Sequence, residues 1–407
     1  MPASAEISNV VRKQASWLRS PQRVWMRRAL FQVHLWVGVA VAVYAVVIGL
    51  TGSALVFREE MERTMWPGLY HVEPSSPQMT LDQAVRRIEA ERPGWRAFAL
   101  RDFSAHRQAT TVLMRRLGAA PTPNYRMVAF NPYTGQVMQD RLRYAGWLGL
   151  MGNLHVYLMG GQPGLLASGV MATGMLVLCL TGLVLWWPGV ARWMTALTLN
   201  LRARWKRLNW ELHSTIGFWS CATLLVVTFT GTSFAFPDQV GHVISLAVEG
   251  RWSDEEIATP SRAAISAGRL MTIDEAVEAA GRTLPKDAPG GYLSLPASAK
   301  ANYKVTGYYE HTLPYSELVR VVLDGRTGAV LSYDDTRSEP RGSRVEQYFT
   351  TIHFGSFGGD GWLGVMVKWL WVLLGLVPAL LAVTGLLMYW NRQLGPWLRR
   401  KRARATR

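Results

Sequence analysis

Hydrophobic residues are concentrated in four long stretches of this chain, at residues 30–57, 164–187, 210–236 and 362–390. Each stretch holds the roughly 20 predominantly apolar residues that a helix needs to cross the hydrocarbon core of a membrane. Long polar loops separate the first stretch from the second and the third from the fourth. The pattern therefore predicts an integral membrane α-helical protein with four transmembrane helices.

The two long loops carry patterns of their own, and the second loop repeats the first. Thr80-Leu-Asp-Gln-Ala-Val and Thr272-Ile-Asp-Glu-Ala-Val each place a capping threonine before an amphipathic helix. Short β-prone runs follow each helix and end in turns that contain a Thr-Gly pair. A helix followed by an antiparallel meander predicts a small α+β domain, so we expect one over residues 58–142 and a second over residues 237–342.

Two further apolar segments, residues 143–163 and 343–361, directly precede the second and fourth stretches. They are rich in glycine and aromatic residues but too short to span a membrane. Each therefore predicts a helix that lies in the membrane interface.

The distribution of charge gives the orientation of these elements. The chain has 44 Lys and Arg residues against 28 Asp and Glu residues, a net charge of +16. Residues 1–29, 188–209 and 391–407 together hold 18 basic residues and a single acid, Glu6. By the positive-inside rule these three segments are cytoplasmic, and both long loops lie on the other side. Because topology accounts for the basic excess, the composition does not indicate a nucleic-acid-binding protein.

The chain is a tandem duplication in which four histidines occupy matched positions. His34 and His213 each lie four residues before a glycine and eighteen residues before the glycine of a Thr-Gly pair. His155 and His353 each lie shortly before a Gly-Gly pair that precedes the second or fourth stretch. Both halves cross the membrane in the same direction, as a parallel repeat. We therefore predict that His34 faces His213 at the cytoplasmic edge and that His155 faces His353 at the outer edge.

These pairs favour a shared ligand, because an ionisable side chain at a membrane boundary is costly without a partner. A single histidine there is more often an interfacial anchor, and the matched repetition is what favours a ligand. Neutral imidazole is a common ligand of haem iron, and two histidines on facing helices can clamp one haem. We predict two b-type haems, with iron held axially by His34 and His213 in one and by His155 and His353 in the other.

Residues beside the inner pair suit a large, flat, negatively charged ligand. Glycine four residues after His34 and His213 leaves room one helical turn away. The side chains expected to wall the site are Trp36, Phe218 and Trp219, and those expected to face haem propionates are Arg27, Arg28 and Arg207. The Thr-Gly pairs within the stretches are interpreted as points of helix packing.

The ordered motifs resemble a known family. Leu154-His-Val-Tyr-Leu-Met-Gly-Gly161 precedes a helix that ends Thr181-Gly-Leu-Val-Leu-Trp-Trp187, and Asn131-Pro-Tyr-Thr-Gly-Gln-Val137 closes the first loop domain. In this order they are similar to the PepSY-associated transmembrane helix family, over roughly residues 22–395. The resemblance implies a bacterial inner-membrane protein, with cytoplasmic termini and two periplasmic PepSY-like domains. It also implies an iron-regulated, ferric-siderophore reductase-like activity that uses two haems.

The leading interpretation is therefore a di-haem oxidoreductase. It would pass electrons from the cytoplasmic side to a ferric siderophore or another iron chelate in the periplasm, and so release the iron. Some relatives continue into a cytoplasmic reductase domain, but this chain has no Gly-x-Gly-x-x-Gly between a strand and a helix. We expect a separate cytoplasmic reductase or a quinol to be the electron donor.

Two other functions remain open. One is a non-enzymatic PepSY membrane protein that binds or restrains an envelope partner such as a peptidase. The other is a transporter of haem or of an iron chelate. A transporter needs a polar pathway at mid-membrane, and the centres of the first and third stretches carry no charge. No catalytic residue is predicted in the outer loops.

Overall fold

The computed structural model describes residues 25–76, 79–105, 107–118, 123–250, 269–296, 302–310, 312–359 and 361–405. The helices in this part of the chain are α1 (Trp25–Leu55), α2 (Arg58–Met65), α3 (Pro67–Tyr70), α4 (Leu81–Ala90), α5 (Gly146–Tyr157), α6 (Gly161–Trp186), α7 (Trp193–Ala196), α8 (Trp205–Glu211), α9 (Gly217–Ala235), α10 (Pro237–Glu249), α11 (Ile273–Gly281), α12 (Arg341–Glu346), α13 (Tyr348–Phe354), α14 (Trp362–Tyr389) and α15 (Gly395–Ala405). Two short π-helical segments, Leu212–Ile216 and Trp390–Leu394, join α8 to α9 and α14 to α15. The strands are β1 (Trp95–Arg101), β2 (Thr110–Arg116), β3 (Arg126–Phe130), β4 (Val137–Leu142), β5 (Gly290–Ser294), β6 (Tyr303–Tyr308), β7 (Leu318–Leu323) and β8 (Val330–Asp335).

Four helices are long and apolar enough to cross a membrane. They are α1, α6, the continuous helix from Trp205 to Ala235, and the continuous helix from Trp362 to Ala405. These helices coincide with the four predicted stretches, so the prediction of a membrane protein with four such helices is confirmed. The first and third begin five residues before the predicted stretch, at Trp25 and Trp205. Tryptophan is a residue typical of the membrane–water interface.

Small residues bring α1 close to α14. A Cβ added at Gly49 would lie 2.7 Å from the backbone oxygen of Gly375, so the two backbones nearly touch there. One turn further along α1, the Ser53 hydroxyl donates a hydrogen bond to the backbone oxygen of Val372 at 2.9 Å. Small residues and interhelical hydrogen bonds drive helix association in lipid, where no hydrophobic force acts between helices. α6 packs against both α1 and α9, which joins the two halves into one bundle.

The two outer loops combine into one antiparallel sheet with the strand order β4-β3-β2-β1-β5-β6-β7-β8. At its centre β1 pairs with β5, where Leu100 faces Leu293 and Ala99 faces Ser294. This corrects the expectation of two separate α+β domains, because each loop supplies one helix and one four-stranded half of a shared sheet. The pairing covers strand edges that would otherwise expose unpaired backbone groups. We call the end of the helix bundle that carries this sheet the outer end, and the opposite end the inner end.

One hydrophobic core lies between the sheet and the two helices α4 and α11. Leu100 and Leu293 at the sheet centre are fully buried and belong to the same cluster as residues of both helices. Both helices begin with the predicted capping box, at Thr80 and Thr272. The shared core explains why the two halves of the sheet stay together.

The segments that precede the second and fourth membrane helices are also helical. α5 lies within residues 143–163, and α13 lies within residues 343–361. α5 contacts α1, and α13 contacts α9. Residues 1–24 of the predicted N-terminal cytoplasmic segment and residues 406–407 of the tail lie outside the described residues.

Candidate functional site

The inner pair of histidines meets between the first and third membrane helices. His34 lies on α1 and His213 lies in the π-helical segment between α8 and α9. Their ring centroids are 6.3 Å apart and the ring planes are inclined by 88°. A π-helical turn inside an α-helix is rare and frequently marks a functional site. Both side chains keep accessible surface although they lie inside the bundle.

The outer pair has the same separation. His155 on α5 and His353 on α13 have ring centroids 6.3 Å apart, with planes inclined by 63°. Phe234 of α9 lies edge-on to His353 with ring centroids 5.2 Å apart. The structure therefore brings all four predicted histidines together in the two predicted pairs, one towards each end of the bundle.

Each histidine is held by a threonine from a Thr-Gly pair. The distances from histidine Nδ1 to threonine Oγ1 are 2.9 Å for His34 and Thr181, 3.0 Å for His213 and Thr384, 3.0 Å for His155 and Thr51, and 2.9 Å for His353 and Thr230. The interpretation of the Thr-Gly pairs as packing points alone is therefore incomplete. The sequence held a signal for the role of these threonines, because they repeat together with the histidines. Thr51 follows His34 by seventeen residues, and Thr230 follows His213 by the same number.

A second hydrogen bond of each threonine fixes which ring nitrogen carries the proton. Each of the four hydroxyls lies 2.6 to 2.9 Å from the backbone oxygen four residues earlier in its own helix. A hydroxyl has one hydrogen, and once that hydrogen is donated to the carbonyl, the oxygen can only accept. Histidine Nδ1 is then the donor, and Nε2 of each neutral ring keeps its lone pair. All four contacts with threonine are made by Nδ1, so none of them uses the Nε2 atom of the ring.

The glycine after each threonine makes room for the ring. A Cβ added there would approach histidine Cε1 to 3.2 Å at Gly182, 3.3 Å at Gly385, 2.8 Å at Gly52 and 3.5 Å at Gly231. Three of these contacts are tighter than ordinary van der Waals separation. Glycine therefore lets each imidazole lie against the helix backbone beside its threonine.

The four contacts divide equally, and the same two occur in each half of the chain. In the first half α6 holds His34 and α1 holds His155, through Thr181 and Thr51. In the second half α14 holds His213 and α9 holds His353. Each half thus orients its own two histidines, and each pair forms between the halves.

A cavity of 1010 Å³ lies beside the inner pair and is lined by both imidazole rings. Gly38 and Gly217 also line it, as does Phe218, which stacks on Trp186 with ring centroids 3.7 Å apart. The cavity is at the upper end of the range of about 300–1,000 Å³ found for small-molecule sites.

Two of the three aromatic residues predicted to wall this site do not do so. The Trp36 and Trp219 side chains are 54% and 65% exposed. Neither belongs to the cavity lining, whereas Phe218 does. The prediction is therefore wrong for Trp36 and Trp219, because each lies on an outward face of its helix.

Arginines gather where the cavity reaches the inner end of the bundle. The arginines that line it are Arg27, Arg28, Arg192, Arg207 and Arg392, which include all three predicted ones. Arg207 forms an ion pair with Glu211 at 2.7 Å, and Arg27 donates to the backbone oxygens of Leu185 and Trp187. In the described part of the chain, Arg28, Arg192 and Arg392 have no ion pair. The mouth of the cavity is therefore positively charged.

The histidines cannot form a complete site for a bare metal ion. Within the described ranges, no group of three or more His, Cys, Asp or Glu residues could hold one. Each pair offers two basic nitrogens, so any further ligands must come from a bound group.

Comparison with known proteins supports the membrane organisation. A family model described as the PepSY-associated TM region matches residues 31–392. That range includes all four histidines and their threonine partners. None of the curated proteins compared with the chain matches it at a significant level.

Proposed function

The chain belongs to the PepSY-associated transmembrane family, and on that premise we propose that it is a di-haem oxidoreductase. It passes electrons through the membrane to a ferric chelate at the outer end. The observation that carries this proposal is the pair of matched histidine sites, in which every Nδ1 atom is hydrogen-bonded to a threonine and no threonine contact uses Nε2.

The separation of each pair suits a six-coordinate iron. A metal–imidazole bond is about 2.0 Å long and Nε2 lies about 1.1 Å from the ring centre, so two rings on one metal have centres about 6.2 Å apart. Both pairs have centroids 6.3 Å apart. Haem would bring its own further ligands, which neither pair can obtain from neighbouring His, Cys, Asp or Glu side chains in the described residues.

The surroundings of the inner pair also fit haem. The cavity holds apolar side chains around the rings and arginines at its mouth. Arg28, Arg192 and Arg392 can pair with the propionate carboxylates, because guanidinium binds carboxylate in bidentate fashion. The site thus accommodates a group that is apolar on its faces and anionic at one edge.

The two pairs are spaced to serve opposite membrane faces. His34 and Thr51, which holds His155, are seventeen residues apart on α1. At 1.5 Å per residue this is about 26 Å, most of a hydrocarbon core about 30 Å thick. When bound by the two histidines of a pair, haem would supply a reversible one-electron iron couple. The chain itself orients the imidazoles through threonine and excludes water with apolar side chains.

The electron balance follows from one-electron chemistry. The donor, either a reduced flavin on a separate reductase or a membrane quinol, gives up two electrons and so reduces two ferric chelates one after the other. Each chelate accepts one electron and becomes ferrous, and it then holds its iron less tightly. The proposed setting is a bacterial inner membrane, which the family resemblance implies. The basic segments favour cytoplasmic termini, with the sheet on the other side.

Electron delivery can be followed directly in purified protein. After anaerobic reduction by dithionite and removal of the excess, ferric citrate should reoxidise the protein, with about two Fe(II) formed per chain and trapped by a ferrous chelator. Gallium(III) citrate, which cannot be reduced under these conditions, is the matched control and should leave the spectrum reduced. A spectrum that stays reduced with ferric citrate would contradict the proposal.

A further inference from the structure

The outer sheet has a second face that its hydrophobic core does not use. Leu100 and Leu293 pair across β1 and β5 and face the helices α4 and α11. Side chains alternate along a strand, so the neighbouring pair, Arg101 and Tyr292, faces the opposite way. We call this side the open face of the sheet.

Tyrosines surround Arg101 on the open face. Thr306 of β6 pairs with Tyr292, so Tyr308, two residues further along β6, shares their face. The tyrosines within electrostatic reach of the Arg101 guanidinium are Tyr125, Tyr308 and Tyr315. The centre of the open face is therefore a cation framed by phenol groups.

Two carboxyl groups lie in the surroundings of this cation, Asp102, which is the next residue along the chain, and Glu59, which accepts a hydrogen bond from the Tyr315 hydroxyl. Within the described residues, Arg101 forms no ion pair and no side-chain hydrogen bond, although it interacts electrostatically with Asp102. Burial raises the pKa of Asp102, which disfavours its charged form. A second arginine lies nearby, since Arg143 donates a hydrogen bond to the Tyr125 hydroxyl at 2.7 Å and lies over the same ring. The open face therefore offers a bound anion two arginines, Arg101 and Arg143, neither of which forms an ion pair with a described residue.

Two residues with strained backbone, Asp102 and Tyr315, interact electrostatically with Arg101. The non-glycine residues with positive φ in the described chain are Asp102 at 60°, Leu158 at 46°, Met159 at 62° and Tyr315 at 64°. Asp102 directly follows β1, whereas Leu158 and Met159 follow α5, the helix that carries His155. Such conformations cost free energy and cluster at ligand sites.

Aromatic rings connect the open face to the outer histidine pair. Tyr315 lies 5.8 Å from Phe354 between ring centroids, and Phe354 lies 6.2 Å from His353. On the other side, Tyr144 lies 6.0 Å from Tyr157, two residues after His155 on α5. Two aromatic residues in series, Tyr315 and Phe354, therefore link the surroundings of Arg101 to His353.

We propose that the open face around Arg101 is the acceptor site and that it takes a small, negatively charged ferric chelate whose iron is bound by carboxylate or phenolate oxygens. The inference rests on the proposed function and names the substrate class for it. Arg101 and Arg143 bind the anionic oxygens. The hydroxyls of Tyr125 and Tyr308 donate to them, whereas the Tyr315 hydroxyl donates to Glu59. One electron from the outer site converts Fe(III) to Fe(II) without a bond to the protein, and the chelate keeps its own protons.

Binding can be measured without electron transfer by using gallium(III) in place of iron(III). Titration calorimetry on the purified full chain would use gallium(III) citrate, which is anionic, and a gallium(III) trihydroxamate bearing a protonated amine, which is cationic. The variant is Arg101→Gln, with Arg101→Lys as the conservative rescue. Arg116→Gln is the matched control, because Arg116 is exposed and pairs with Trp95 at the opposite end of the β1–β2 ladder.

The expected result is that wild type and Arg116→Gln bind gallium(III) citrate equally well. Arg101→Gln should weaken binding about tenfold or more, as for loss of one charge-assisted contact, and Arg101→Lys should recover part of the affinity. The cationic complex should bind at least about tenfold more weakly than the citrate complex.

Several outcomes would overturn this assignment. Equal binding by Arg101→Gln and wild type would remove the site, and preferential binding of the cationic complex would reverse the substrate class. An anionic lipid that co-purifies with wild type but not with Arg101→Gln, without citrate binding, would make the site a lipid site. The haem content of the same samples distinguishes failure of the proposed function from failure of this inference. Haem-free protein would contradict the proposed function, whereas haem-loaded protein that does not bind citrate would contradict only this inference.

Discussion

The hydrogen bond between histidine and threonine is the residue-scale feature on which the site depends. Four threonines each donate to their own helix and accept from a histidine ring, so the side chain and the backbone together select one tautomer. Partners of this kind orient a metal-binding imidazole and raise its basicity. Their repetition in all four positions is difficult to attribute to packing alone.

Replacing Thr230 with Val keeps the shape of the side chain but removes the acceptor for His353. We expect haem affinity of the outer site to fall by about 10–100-fold, the usual effect of losing such a partner. The measurement is haem retained per chain during stepwise extraction by apomyoglobin. The control is Thr228→Val, because Thr228 is buried on the same helix and its hydroxyl, among the described residues, bonds only to the backbone oxygens of Leu224 and Leu225. Equal haem retention in both variants would show that the threonine has no such role.

Glycine contacts predict a difference between the two halves. A Cβ at Gly52 would lie 2.8 Å from Cε1 of His155, whereas a Cβ at Gly231 would lie 3.5 Å from Cε1 of His353. Gly52→Ala should therefore displace its histidine and lose the outer haem, and Gly231→Ala should keep it. Haem stoichiometry of the two variants tests this, and loss of haem in both or in neither would contradict the geometry.

At the scale of elements, the helices α4 and α11 connect the two halves of the sheet. The carboxylate of Asp274 in α11 accepts hydrogen bonds from the backbone N–H groups of Leu81 and Asp82 in the first turn of α4, at 2.9 and 3.0 Å. One helix thus caps the other. The next residue, Glu275, closes the capping box of α11 and pairs with Arg269.

The stability of α11 should depend on pH through Glu275. The hydrogen bond from Arg269 lowers the pKa of Glu275 from 4.5 to about 2. A carboxyl group with a depressed pKa contributes stability above its ordinary pKa, and that contribution is lost as the pH falls from about 4.5 towards 2. The melting temperature of Glu275→Gln should lie below that of wild type at pH 7, and the difference should shrink below pH 4.5. Glu278→Gln, which removes an exposed pair with Arg282, is the control and should show a smaller difference at pH 7.

Local patterns in the sequence predicted the elements well because their causes are local. The apolar stretches, the capping threonines at Thr80 and Thr272 and the short helices before the second and fourth membrane helices all depend on neighbouring residues. The pairing of β1 with β5 joins residues almost 200 positions apart, and no local pattern specifies it. The threonine contacts were missed for the same reason, since the histidine and its threonine lie on different helices.

At the scale of the whole molecule, both histidine pairs bridge the halves of the chain. The spacing within each half predicted which histidines belong together, because matched positions in a parallel repeat meet across its axis. The charge pattern of the sequence predicted the arginines that line the cavity. The outward direction of Trp36 and Trp219 could not be predicted from the sequence, because it depends on how the helices pack in the bundle. The bundle gives little support to a transporter, which needs a polar pathway at mid-membrane. The charged residue Lys368 of α14 is paired with Glu60 near the outer end instead.

Each proposed haem site needs one histidine from each half of the chain. The effects of two substitutions within one pair on haem content should therefore not be additive. His34→Ala and His213→Ala should each remove one of two haems, and the double variant should lose no more than either single variant. His353→Ala should remove the other haem, and its combination with His34→Ala should leave none. A double variant of the inner pair that loses both haems would show that the pairs are not independent sites.

The most direct measurement is an optical spectrum of the detergent-purified full chain, oxidised and then reduced with dithionite, together with haem per chain. Bis-histidine ligation at both pairs predicts sharp reduced α-bands of low-spin b haem and about two haems per chain. A colourless protein that also fails to take up added haem would contradict the assignment of His34, His213, His155 and His353 as haem ligands, and the redox function with it.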